Sequence, residues 1–90
     1  MPVVWRTRAL ADIAHIQRYI VTDNPVAAAR VAKGLLVAWD SLTTFPRRGR
    51  PGRQPGTREL VAMAPYIIVY RVTGSDVVTI LRVWSAAQDR

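Results

Sequence analysis

Ninety residues suffice for one domain with one modest core and are too few for two, so residues 1–90 read as a single unit. Half of them are hydrophobic, which excludes a disordered basic tail, and the lack of cysteine excludes a disulfide framework or a thiolate metal site. Thirteen Lys+Arg against six Asp+Glu give a formal charge of +7, which favours nucleic acid, an acidic protein or an anionic surface as partner. No run reaches the roughly 18 apolar residues of a membrane span. The start, Met1-Pro2-Val3-Val4-Trp5-Arg6, has no basic stretch followed by an apolar one, so the expected location is the cytoplasm, with no membrane partner.

In chain order, Val3-Val4-Trp5 is a short β-prone run ending at Arg6. Thr7 is placed to cap a helix over residues 8–21, whose apolar stripe is Leu10, Ile13, Ile16 or Gln17, and Ile20. Asp12 falls in the first half of that helix, where the dipole favours an anion. Asn24-Pro25 then supplies an N-cap and a first-turn proline for a second helix over 25–43. Its stripe is Ala28, Val31, Ala32, Leu35, Leu36, Trp39 and Leu42. Two helices joined this tightly form an αα-hairpin. Phe45-Pro46 ends the helical part, with Phe45 expected to drop back into the core.

Residues 47–58 read Arg-Arg-Gly-Arg-Pro-Gly-Arg-Gln-Pro-Gly-Thr-Arg, and glycine and proline at this density predict a loop. Arg47, Arg48, Arg50, Arg53 and Arg58 present planar guanidinium forks suited to phosphate or carboxylate. Three strands follow, over 58–63, 66–72 and 77–84, with turns at Ala64-Pro65 and at Thr73-Gly74-Ser75-Asp76. The order is β-α-α-β-β-β, an α+β domain with the helical hairpin on one face of a small, mainly antiparallel sheet. Strict alternation puts Ile68, Tyr70, Val72, Leu81 and Val83 towards the helices. It leaves Arg71, Arg82 and Trp84, with Ile80, on the open face beside the arginine loop, a candidate binding surface.

The fragments Val4-Trp5, Tyr19-Ile20, Asn24-Pro25, Phe45-Pro46, Gly49-Arg50-Pro51-Gly52-Arg53, Gly56-Thr57-Arg58-Glu59-Leu60, residues 66–72 and Ile80-Leu81-Arg82-Val83 occur in an order that resembles the RelE/ParE superfamily of toxins from type II toxin–antitoxin modules. Each motif is short; their ordered combination, over practically the whole chain, is what is specific. The resemblance implies the same β-α-α-β-β-β architecture. It implies a cognate antitoxin as partner in a hetero-oligomer, with operator DNA contacted only through that antitoxin.

The superfamily divides by activity. RelE-like members cleave mRNA in the ribosomal A site, which requires cations around the scissile phosphate and a general acid and base. On that branch Arg58 and Arg82 match cationic positions and become the catalytic candidates. The acid/base is missing: Trp84 stands where a His is frequent, the tail holds neither His nor Tyr, and the sole histidine, His15, lies in the first helix. ParE-like members poison DNA gyrase as binding proteins, and by elimination the chain leans that way. The target-contacting candidates are then Arg47, Arg48, Arg50, Arg53, Arg58, Arg71, Arg82 and Trp84. A plain nucleic-acid-binding module is disfavoured by the lack of an aromatic set beside the loop. Nothing in the sequence supports a metal or a cofactor: one His, scattered acids and no Cys make no ligand cluster.

Overall fold

The structure is a computed structural model and describes residues 3–63, 66–74 and 77–85. The turn at Ala64-Pro65, Ser75-Asp76 of the second hairpin and the tail 86–90 lie outside the described residues, as do the side chains of 19–23, Ile20 among them, and of Met63. The elements run β1 (Val3–Trp5), α1 (Thr7–Asp23), α2 (Pro25–Thr44), β2 (Arg50–Pro51), β3 (Arg58–Met63), β4 (Tyr66–Val72) and β5 (Val78–Ser85). They build one five-stranded sheet of order β1-β5-β4-β3-β2, with β1 parallel to β5 and every other pairing antiparallel. The α+β architecture is the one the periodicity predicts, with one strand added.

That strand is β2. Residues 47–58 are not wholly a loop: Arg50 pairs with Glu59 and Pro51 with Arg58. Proline is compatible with this position because β2 is the sheet edge, where a strand does not need its second row of N–H donors. The return to β3 is closed by hydrogen bonds from Gly52 N to Thr57 O (2.8 Å) and from Thr57 N to Gln54 O (3.1 Å). Gly56 sits there at φ +81°, a conformation that favours glycine.

The two helices meet through Asn24 alone, whose Oδ1 accepts a hydrogen bond from the Ala27 N–H at 3.1 Å. The core lies between them and the sheet, and it contains Ala9, Ile16, Val31, Leu35, Ala38, Leu42, Leu60, Ile68, Tyr70, Val78, Ile80 and Val83. The expected stripes hold at Ile16, Ala28, Val31, Leu35 and Leu42 and depart from expectation beside them. Leu10 is 55 % exposed and Leu36 57 % exposed, while Ala9 and Ala38 are buried. Small side chains let the helices approach the sheet closely, and the larger leucines are left on the far side. Phe45 does not drop into the core: it is 63 % exposed, and Pro46 is buried beside it. Phe45 is the C-cap, with its N–H donated to Ser41 O, and the chain turns there so that the next residue faces inward.

The facing of β5 also differs from strict alternation. Val69 pairs with Arg82 but Tyr70 pairs with Ile80, so Leu81 is the extra residue of a β-bulge. Before the bulge Val78 and Ile80 enter the core; after it Val83 does, and Leu81 is only half-buried. Ile80 therefore leaves the open face and Leu81 leaves the core. Arg82 and Trp84 keep the outward facing expected of them, because they follow the bulge together with Val83.

The arginine segment is fastened to this core. Tyr70 is fully buried, and its hydroxyl accepts a hydrogen bond from the Gly49 N–H at 2.8 Å. A side chain at Gly49 has no room: a Cβ there would lie 2.6 Å from the Tyr70 hydroxyl and 2.9 Å from the Glu59 carbonyl oxygen. Arg58 completes the anchor by donating through Nη1 to the carbonyl oxygens of Gly49 (2.8 Å) and Arg47 (3.1 Å).

Three substitutions have expected outcomes for stability, each read from urea denaturation. Leu42→Ala, at a fully buried position, lowers unfolding free energy by about 2–5 kcal/mol, whereas Phe45→Ser changes it by no more than about 0.5 kcal/mol. Tyr70→Phe leaves the Gly49 N–H buried without its acceptor and lowers stability by about 1–3 kcal/mol.

Candidate functional site

Pairing and pleat decide which arginines share a face. Arg58 pairs with Tyr70 and Leu60 with Ile68, so Arg58 lies on the helix side of β3. Glu59 pairs with Val69, and Val69 with Arg82, so Glu59, Val69 and Arg82 form one row across the opposite face. Val61, Ile67 and Trp84 form the next row on that same face. Arg58 and Arg82, the two cations a phosphodiester cleavage would use together, thus start from opposite sides of the sheet.

Each also has work within the fold. Arg58 holds the carbonyls of Arg47 and Gly49. Arg82 makes a two-pronged contact with Asp12 of α1, Nε to Oδ2 at 2.7 Å and Nη2 to Oδ1 at 3.2 Å. Asp12 Oδ2 also accepts the Val83 N–H at 2.9 Å. This carboxylate therefore pins α1 to β5 just past the bulge, a role beyond favourable placement in the helix dipole. Its hydrogen bond raises the Arg82 pKa above the ordinary arginine value, against a smaller opposing effect of burial, so the guanidinium is permanently charged. The same guanidinium lies 5.2 Å from the Trp84 ring centroid, within cation–π range.

The remaining predicted residues divide among three shallow places. Arg53 and Trp84 line a pocket of about 250 Å³ on the outer face, together with Gln54, Thr57, Glu59 and Val69. Arg47 and Arg58 line a second, of about 240 Å³, with Pro51, Gly56, Thr57 and Val72. Arg47 and Arg48 flank the exposed Phe45. Arg50 is ion-paired with Glu59 at 3.4 Å, and Arg71 is exposed on β4. His15 is exposed on α1. The arginine segment is thus several separate cationic positions around a loop. Glu59 is the residue that sequence reasoning passed over: it is 8 % exposed and lines the outer pocket. Counting alternate residues from Leu60 would have put it on the open face.

A different surface stands out on the helices. Trp5, Leu10, Ile13, Gln17, Ala32, Leu35, Leu36 and Trp39 line a groove of about 440 Å³ that is almost wholly apolar. Trp5 and Trp39 meet edge-to-face at 5.5 Å, and the Trp39 Nε1–H has no hydrogen-bond partner among the described residues. A groove of this kind suits the apolar face of an amphipathic segment.

Comparison with known proteins agrees with the fold. The family model for the ParE toxin of the type II toxin-antitoxin system, parDE, matches residues 3–90. The chain is 48 % identical over 85 residues to the Sinorhizobium fredii protein Y4kP, covering 93 % of this chain and 86 % of that protein. It is 45 % identical over 86 residues to Toxin RelE2 of Caulobacter vibrioides, covering 96 % of each. A solved chain of the chromosomal ParDE toxin–antitoxin system from P. aeruginosa superposes with a TM-score of 0.80 at 27 % identity, over 94 % of this chain and 95 % of that one. The ordered motifs, the β-α-α-β-β-β core and the family match converge: this chain belongs to the ParE toxin family of type II toxin–antitoxin systems.

Proposed function

We propose that the chain arrests growth by binding its target, DNA gyrase, in the cytoplasm, and that a cognate antitoxin silences it. The observation that carries the binding reading is the placement of Arg58 and Arg82. They start from opposite faces of the sheet, and each is engaged by the protein's own groups, Arg58 by two carbonyls and Arg82 by Asp12. Phosphodiester cleavage needs converging cations and a proton acceptor beside the 2′-hydroxyl. The alternative, a ribosome-dependent endoribonuclease, is favoured by one observation: a relative 45 % identical over nearly the whole chain bears the name RelE2.

The antitoxin seat in this reading is the apolar groove of the helical hairpin. Leu10 and Leu36 are both more than half exposed and stand at its rim, where an amphipathic segment would cover them. The +7 charge of the chain complements an acidic partner.

Pulse-labelling in the first minutes after induction of the chain alone separates the two targets. Thymidine incorporation is expected to fall first, with a DNA-damage response; an earlier loss of amino-acid incorporation would transfer the assignment to the endoribonuclease. Leu10→Glu with Leu36→Glu, both at exposed positions, is expected to leave the fold intact and toxicity unchanged. Antitoxin affinity should weaken by roughly 30-fold or more, about 2 kcal/mol, so that co-expressed antitoxin no longer rescues growth. Undiminished rescue would remove the groove from the interface.

A further inference from the structure

The outer-face pocket between Glu59 and Trp84 adds a carboxylate to two of the target-contact candidates, Arg53 and Trp84. Its floor is Val69, which sits on β4 between Glu59 of β3 and Arg82 of β5. At one end is a carboxylate 8 % exposed, buried far more deeply than a solvated surface glutamate. Its Oε1 accepts from Arg50 Nη2 at 3.4 Å, a long contact, and Oε2 has no hydrogen-bond partner among the described residues. At the other end is an indole, and on the rim is Arg53, exposed on the loop. At about 250 Å³ the pocket is smaller than a typical cofactor cleft and suited to a single flat ring.

We propose that this pocket takes the guanine base of a nucleotide, with Glu59 reading its Watson–Crick edge, Trp84 packing against the ring and Arg53 holding the phosphate. The argument is one of donors and acceptors. An ionised carboxylate only accepts, and it is matched by two donors side by side. Guanine alone among the bases presents such a pair, N1–H and N2–H₂, on one edge. Adenine and cytosine place an acceptor next to their single amino group, and uracil and thymine flank one N–H with two carbonyls, so each would set an oxygen or nitrogen lone pair against Glu59. Unstacked bases are commonly held against aromatic side chains in this way. A cationic side chain of a protein partner is the competing occupant, and like charge counts against it: Arg53 lines the pocket and Arg50 is already paired with its carboxylate.

This inference rests on the outer face alone and not on the gyrase assignment, and its test uses no growth assay. The chain, made by cell-free synthesis with ¹⁵N-labelled tryptophan and glutamate, is titrated with 5′-GMP, with 5′-AMP, with a trinucleotide bearing a central G, and with the capped tripeptide Gly-Arg-Gly. The Trp84 indole and Glu59 amide signals are expected to move with GMP, at an affinity roughly five-fold or more above that for AMP. Trinucleotide binding tighter than GMP would assign the site to guanine within a strand, and equal binding to a free nucleotide; both support the pocket. Glu59→Gln is expected to abolish the preference for GMP over AMP. Arg50→Gln, which keeps the carboxylate, is expected to retain it, so a fold defect in the first variant is told apart by the second. Equal response to GMP and AMP, shifts confined to the arginine loop, or a response to the tripeptide without one to GMP would each overturn the proposal.

Discussion

Tyr70 buries its ring completely among the core residues of the sheet, yet its hydroxyl must still find a hydrogen-bonding partner in a place water does not reach. It finds the N–H of Gly49, across the edge of the sheet, and that single bond dictates how the arginine segment begins. The backbone passes so close to the phenol that only glycine fits, and the carbonyl of that glycine, with that of Arg47, accepts from Arg58. From that anchor the chain emerges as β2, turns through Gly52 and Gly56, and re-enters as β3. A segment that composition describes as a charged loop is, in physical terms, a hairpin hung from one buried hydroxyl.

The consequence for chemistry is a distribution of charge that does not converge. Five arginines in twelve residues look like one anion site, but a hairpin has two faces and an edge, and the pleat sends its members to all three. Arg58 is taken up by the carbonyls of Arg47 and Gly49, and Arg50 by the buried carboxylate of Glu59. Arg53 stands exposed on the loop. This is why a count of positive residues overstates how much cationic chemistry one place on the sheet can perform.

Much of the architecture was legible because it depends on local period. Helices α1 and α2, the Asn24-Pro25 junction and strands β3 to β5 all follow from apolar spacing and turn chemistry, with bounds shifted by one or two residues. Period alone did not fix rotation within the stripe: Leu10 and Leu36 fit the pattern as well as Ala9 and Ala38, and only the closeness of helix to sheet selects the small residues. The bulge at Leu81 was invisible for a related reason, since one inserted residue reverses alternation without leaving a compositional mark. Phe45 was misplaced because hydrophobicity says that a side chain prefers burial and not whether the helix end can turn it inward. The candidate site suffered most. The partners of Arg58 and Arg82 are set by three-dimensional adjacency, 70 residues apart in the case of Asp12, and Glu59 was hidden among arginines.

The parallel pairing of β1 with β5 has a bearing on how the chain comes to exist. Val3 lies beside Val78, and Asp12 is clamped to Arg82, so the first and last elements complete one another. Contacts of this separation form only after the intervening loop has closed, whereas the helical hairpin needs only neighbours in sequence. The β1–β5 pairing and the Asp12–Arg82 clamp are therefore late events of folding, and the sheet is complete only when both ends of the fold have met.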